Sequence, residues 1–417
     1  MMPPHYLRCL SVVLLLICCQ LWSVHWTAAA AEGDPLTAAD EGLQAEPKLQ
    51  AEAAILMDAR TGTVLYAHNA DKPLYPASIT KIVTGIIALE TAADLNSLVT
   101  VSKEARHEDG TRVFLAEGEQ QTLENLVYGM LVNSGNDAAT AIAEFIDGTK
   151  EKFAERMNTF VRDKAGAAQT NFVNPSGLPD PLQVTTALDM AHIAQYAMKN
   201  ETFRTIVGTT KRPWKGAEWT SELINHNKLL GTYEGATGIK NGFTNASGFT
   251  LVASAMRDEM ELIGVILKAP TNNGIYADMR KLLDYGFAGF ELKKLFDAGE
   301  SYPQPAEKGA PTFVASEEIW AVTPRGEQPD IRVEPSGSVQ VQTSKGMIAA
   351  GKMTVIEPGV NDEPLQMSGK QVYEETGNPM NLWLIFVFMA WLVMNAFLVF
   401  IAYLRYRKKR KYRSPEW

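Results

Sequence analysis

The chain has 417 residues, a formal net charge of -9 and three cysteines. An acidic balance argues against nucleic-acid binding. Cys9, Cys18 and Cys19 all fall within residues 1–31, so the remainder offers no disulfide, thiol nucleophile or thiolate metal site.

Residues 1–31 place Arg8 ahead of an apolar run from Leu10 to Leu16 that extends to Val24, followed by Ala28 to Ala31. That order predicts a secretory signal peptide cleaved before Glu32. Its apolar run is shorter than the roughly 20 residues a membrane span needs.

From Ala53, two short apolar runs flank Arg60 to Gly62 and predict a strand, a turn and a second strand. Pro76 then precedes a largely apolar helix from Ser78 to Glu90, expected to be central and buried. Helices follow over Leu123 to Val132 and Asp137 to Ile146, separated by Asn133-Ser-Gly-Asn136, and again over 151–165 and 186–199. Strands are expected at 236–242, 248–256 and 261–268, with a closing helix around 277–290. Early strands, a helical middle and late strands imply an α+β domain whose sheet draws on both ends of the segment.

Beyond Leu295, prolines, glycines and short alternating runs such as Gly337 to Thr343 and Gly351 to Ile356 predict a small β domain over 300–372. Residues 381–404 are apolar apart from Asn395 from Leu382 onward and carry Trp383, Trp391 and Tyr403, which predicts a transmembrane helix. The tail 405–417 holds seven basic residues against Glu416, which places it in the cytoplasm and the bulk of the chain outside. Without the leader and tail, the external part carries about -16.

Three clusters can carry chemistry. Ser78 and Lys81, three apart at a helix start, lie on one face. Such a pair alone arises about once or twice by chance in a chain this long. Its position adds weight: free N–H groups at a helix N-terminus receive a developing oxyanion, and the positive dipole end disfavours a protonated amine. Lys81, set among Ile79, Ile82 and Val83, is expected to lose its proton readily and act as base toward Ser78. Ser134 and Asn136 sit between two helices, where Ser-Gly-Asn is by itself more often only a turn. Lys240-Asn241-Gly242 lies in a glycine-containing strand that a ligand can approach closely. A competing Lys164-Ala-Gly166 reads as a helix stop.

In this order the three elements resemble the penicillin-recognising serine enzymes, with their Ser-x-x-Lys, Ser-x-Asn and Lys-Thr-Gly motifs. The resemblance is strongest to the low-molecular-mass D-alanyl-D-alanine carboxypeptidases of the S11 peptidase family. It rests on Tyr75-Pro-Ala-Ser78-Ile-Thr-Lys81, on Leu126 to Ala139, on Phe172-Val-Asn-Pro-Ser-Gly-Leu-Pro179 and on His226-Asn-Lys-Leu-Leu230.

The resemblance implies a transpeptidase-like catalytic domain over 49–292, an antiparallel sheet flanked by helices with a helical insert. It implies Ser78 as nucleophile, Lys81 as its base and Ser134 as proton shuttle. Asn136 would hold the substrate amide, and Lys240 with Asn241, Gly242, Phe243 and Thr244 would line the substrate site. The N–H groups of Ser78 and Phe243 would form the oxyanion hole. Peptidoglycan stem peptides are the implied substrates and β-lactams the implied inhibitors.

Two positions depart from the family pattern: Asn241 replaces the usual threonine, and Ser176 stands where relatives often carry histidine. The other readings of the same residues are a β-lactamase and a membrane-tethered wall-binding protein. A β-lactamase would need a deacylating base, and no class A glutamate motif lies between Asn136 and Lys240. His68, His107, His192 and His226 show no metal-binding spacing, and no cofactor is expected.

Overall fold

The computed structural model describes residues 45–302 and 311–356. The expected signal peptide, membrane helix and basic tail lie outside these residues, as does the expected β domain beyond Ile356. Among the described residues no helix is long and apolar enough to cross a membrane.

β1 (Ala53–Asp58) and β2 (Val64–His68) form the expected hairpin. Its turn is held by Asp58 Oδ1, which accepts from the backbone N–H and the hydroxyl of Thr61, each at 2.7 Å. A short 3-10 turn, Ala77–Thr80, then runs directly into α1 (Lys81–Thr91). The helix expected from Ser78 is thus split: the tight turn carries the serine and the α-helix opens at Lys81.

The helical middle comprises β3 (Leu98–Thr100), α2 (Lys103–Arg106), β4 (Gln120–Thr122), α3 (Leu123–Leu131), α4 (Asn136–Asp147), α5 (Lys150–Ala165), α6 (Ala187–Ala197) and α7 (Glu201–Gly208). Thr122, Thr149, Thr186 and Asn200 each cap a helix by accepting the N–H three residues on, the local signal that starts it. Gly166 ends α5 in a left-handed conformation, so Lys164-Ala-Gly166 is the helix stop.

β5 (Lys211–Lys215) and β6 (Thr220–Ile224) form a hairpin not expected from the sequence. Only Trp214 and Leu223 point inward from it, too few for a visible period-two pattern.

β7 (Ala236–Thr244), β8 (Gly248–Arg257) and β9 (Met260–Ala269) precede α8 (Asn272–Gly289). The five-stranded sheet has the order β2-β1-β9-β8-β7, antiparallel throughout. Ala53, Ile55 and Met57 of β1 join one core with α1, α3, α4 and α6, while Ala54 and Leu56 join another with Ile275, Met279 and Leu282 of α8. Alternation along the strand buries both faces, and β7 is left at the edge beside the 3-10 turn.

The chain continues through β10 (Phe290–Phe296), β11 (Thr312–Val314), β12 (Ile319–Pro324), β13 (Asp330–Val333), β14 (Ser338–Thr343), β15 (Gly346–Lys352) and β16 (Thr354–Ile356). Phe296, Phe313, Ile319, Val339 and Met353 gather into a small core of their own. β10 leaves α8 directly and pairs with β12, and contacts run continuously through one compact unit to Ile356.

Candidate active site

The site is built where the first residues of two helices meet. Lys81 opens α1 and Asn136 opens α4, so two positive helix ends converge on one spot. Lys81 has no exposed surface. Its Nζ lies 3.1 Å from Ser78 Oγ, 2.6 Å from Asn136 Oδ1 and 2.6 Å from the Ser176 carbonyl oxygen. Burial pushes its pKa well below the usual lysine value, and the charge of Lys240 pushes it the same way, against the pull of Asp137 and Glu108. A neutral amine here can accept a proton from the hydroxyl it faces.

The backbone around Ser78 is held in unusual conformations. Ala77 has φ +51, a region that side-chain-bearing residues rarely occupy. Its carbonyl packs against Gly177, where any Cβ would collide with it. On the other side, a Cβ on Gly242 would lie 2.6 Å from the Ser78 nitrogen and 2.7 Å from Thr250 Oγ1. Thr250 Oγ1 itself donates to the Pro76 carbonyl at 2.9 Å. Two glycines therefore let the strand edge and the 176–178 turn close on the nucleophile.

Lys240 is 2% exposed, and desolvation lowers its pKa to about 7. Its Nζ donates to the carbonyl of Asn241 at 3.0 Å. Next along β7, Asn241 lies opposite Leu251, which packs in the core shared with α8, and the Tyr276 hydroxyl on α8 donates to the His226 carbonyl at 2.9 Å. Alternation along β7 explains this, since successive side chains point to opposite faces. Phe243 is 53% exposed, with its ring centroid 4.4 Å from that of Phe249. Thr244 ends the strand by exchanging hydrogen bonds with Ser247.

Ser134 sits buried in the bend between α3 and α4 with φ +64. Among the described residues no hydrogen bond joins its hydroxyl to Ser78, Lys81 or Lys240. Asn136 uses its carboxamide within the protein, accepting from Lys81 and donating Nδ2 to the Asp109 carbonyl at 2.6 Å. The structure thus brings Ser78, Lys81 and Asn136 into one bonded group, with Gly242 in contact and Asn241 turned toward α8.

Three contributors went unassigned in the sequence. The Ser176 carbonyl takes a donor from Lys81, and Asn174 Oδ1 shapes that turn by accepting from the N–H groups of Ser176, Gly177 and Leu178. Buried Asp137 accepts from the N–H groups of Val113, Leu115 and Ala138. Tyr276 on α8 fastens the His226 carbonyl beside β7. The first two lie inside matched motifs, while Tyr276 is marked by no local pattern.

A sequence profile of the D-alanyl-D-alanine carboxypeptidase family matches residues 40–271. The chain belongs to this family. Relatives include the D-alanyl-D-alanine carboxypeptidases DacF of Bacillus subtilis, 33% identical over 67% of this chain and 74% of that one, and DacA of Haemophilus influenzae, 34% identical over 69% and 75%. Among solved structures, penicillin binding protein 5 from Haemophilus influenzae superposes with TM-score 0.67 at 30% identity, covering 75% of this chain and 98% of that one. The Streptomyces K15 DD-transpeptidase gives 0.56 at 31% identity, covering 59% and 100%. The α+β transpeptidase-like architecture expected from the carboxypeptidase motifs is therefore present.

Proposed function

We propose that this carboxypeptidase family member hydrolyses the terminal D-Ala-D-Ala bond of peptidoglycan stem peptides through an acyl-enzyme on Ser78. The observation that carries the reading is a fully buried lysine with depressed pKa, 3.1 Å from a serine hydroxyl at the convergence of two helix N-termini.

Neutral Lys81 takes the hydroxyl proton as Ser78 Oγ attacks the carbonyl carbon of the penultimate D-alanine. The N–H groups of Ser78 and Phe243 receive the oxyanion, the latter from an edge strand whose outer side is open. Ser134 passes the proton to the leaving amine and D-alanine departs. Water then hydrolyses the ester, with Lys81 again as base. Lys240 supplies positive potential for the terminal carboxylate, and Gly242 and Thr244 line the strand on which the peptide lies. β-Lactams acylate the same serine, because their ring amide presents a carbonyl where the peptide's would be.

The segment from about 300 to 372 is read as a small β domain that follows the catalytic part in the chain. The apolar stretch 381–404, followed by its basic tail, supports a single anchor that holds the site at the outer face of the membrane, where wall peptides are found.

The test is D-alanine release from a pentapeptide ending in D-Ala-D-Ala, with the wild-type protein beside Ser78→Ala. Release by wild type alone is expected. Equal release from both would sink the mechanism.

A further inference from the structure

The loop 109–115 forms one wall of the site, yet the chemistry above uses none of its side chains. Its backbone is fastened to α4: Asn136 donates Nδ2 to the Asp109 carbonyl at 2.6 Å and its N–H to the Thr111 carbonyl at 2.7 Å. Val113 and Leu115 donate their N–H groups to the Asp137 carboxylate at 3.0 and 3.1 Å.

Held between those two anchors, Phe114 points outward, 43% exposed, with φ +55. A bulky residue in that region is strained, and such strain persists where the surroundings over-determine it, often around functional sites. Trp219, from the turn between β5 and β6, meets the Phe114 ring edge-on with centroids 5.8 Å apart. The Arg112 guanidinium lies 5.3 Å from the same ring centroid.

Three neighbouring cations are paired: Arg106 with Glu218 at 2.7 Å, Lys150 with Glu104 and Glu108 at 2.9 and 3.0 Å, and Arg212 with Glu124 at 3.2 Å. Among the described residues Arg112 has no carboxylate within ion-pairing distance.

We infer that Arg112, Phe114 and Trp219 form an acyl-side subsite that selects substrates carrying a free carboxylate upstream of the scissile bond. The inference rests on the carboxypeptidase reading. A guanidinium left unpaired on an aromatic face suits a planar carboxylate, which it binds through two parallel N–H groups. The leaving group is a single amino acid, and its carboxylate belongs to Lys240 on the β7 side. Only the chain upstream of the bond is long enough to reach the opposite wall. On a strongly acidic protein, an anionic substrate gains most from a cation placed at that wall.

The experiment uses the full chain and two acetylated tripeptides, one with Glu and one with Gln immediately before D-Ala-D-Ala. D-alanine release gives kcat/KM for each, and calorimetry gives the affinity of each for the Ser78→Ala protein. Wild type should favour the Glu peptide, and low salt should enlarge that preference. Arg112→Gln should lower kcat/KM for the Glu peptide roughly ten-fold while leaving the Gln peptide nearly unchanged, with partial recovery in Arg112→Lys. A merely structural role would slow both peptides alike, and that result, or no change in either, overturns the subsite. If wild type releases D-alanine from neither peptide, the carboxypeptidase reading fails. Binding to Ser78→Ala, with and without Arg112→Gln, then still decides the subsite: an affinity difference lost with the arginine supports it, and equal affinities overturn it.

Discussion

Lys81 Nζ and Asn136 Oδ1 lie 2.6 Å apart, both belonging to residues that open a helix. The bond orients the amine toward Ser78 without placing a negative charge beside it, so burial, helped by the charge of Lys240, keeps the lysine pKa low. Asn136→Asp would retain the shape and add the charge. Lys81 should then hold its proton, and acylation of Ser78 by a β-lactam should slow by about 10- to 100-fold at neutral pH, in keeping with the loss of one general base. Stopped-flow acylation across pH checks this, the acid limb moving upward in the variant.

The two buried lysines predict opposite pH limbs. Activity should rise as Lys81 loses its proton and fall as Lys240 loses its own near pH 7, giving a bell-shaped kcat/KM whose limbs belong to the coupled pair.

Stability should follow Lys240 in a definite direction. Its folded pKa is lowered from 10.5 to about 7, so the cost of burying the charged form is fully present below that value, where folded and unfolded states are both protonated. The cost disappears as pH rises toward the unfolded value. Lys240→Met should abolish efficient turnover yet raise stability by a few kcal/mol at about pH 6, since each tenfold loss of proton affinity on folding costs roughly 1.4 kcal/mol. That gain should be gone near pH 11, roughly where the unfolded lysine is itself neutral. Urea melts of both proteins at the two pH values measure it.

Close approach of backbone to backbone makes Gly242 and Gly177 irreplaceable in different ways. Gly242→Ala sets a methyl against the Ser78 nitrogen, so β7 must retreat from the nucleophile. Acylation should fall at least about 100-fold, as expected when a reacting geometry opens by roughly 1 Å. Gly177→Ala combines φ +87 with a collision at the Ala77 carbonyl and should cost about 1–3 kcal/mol of stability besides activity. Thermal melts beside acylation rates separate the two effects.

Much of this site was legible because its parts lie on periodic elements. Ser78 and Lys81 share one turn, the bend holding Ser134 leads directly into Asn136 at the start of α4, and β7 shows in a glycine-containing apolar run. Long-range bonds were not legible: nothing near Lys81 announces that the Ser176 carbonyl, 95 residues later, will accept from it. The β5–β6 hairpin escaped because only two of its side chains turn inward, and the partition of Ser78 and Lys81 between a 3-10 turn and an α-helix depends on tertiary packing against Gly177 and Gly242. Phe114 and Trp219 meet only because that hairpin folds toward the 109–115 loop.

Asn241 is where the chain leaves its family's pattern, and the fold shows what the asparagine does instead. Its side chain lies opposite Leu251 on the α8 face of β7, while Lys240, one residue earlier, lies on the other face. A threonine at 241 would turn its hydroxyl to the same α8 face, away from Lys240. Asn241→Thr should therefore leave kcat/KM for a D-Ala-D-Ala peptide within about 2-fold of wild type, and Tyr276→Phe, which removes the bond to the His226 carbonyl, should lose about 1 kcal/mol of stability with turnover unchanged. A rise of roughly 5- to 10-fold in Asn241→Thr, the value of one hydrogen bond to a charged group, would mean that the hydroxyl reaches the terminal carboxylate and that Lys240 does not account for its recognition alone.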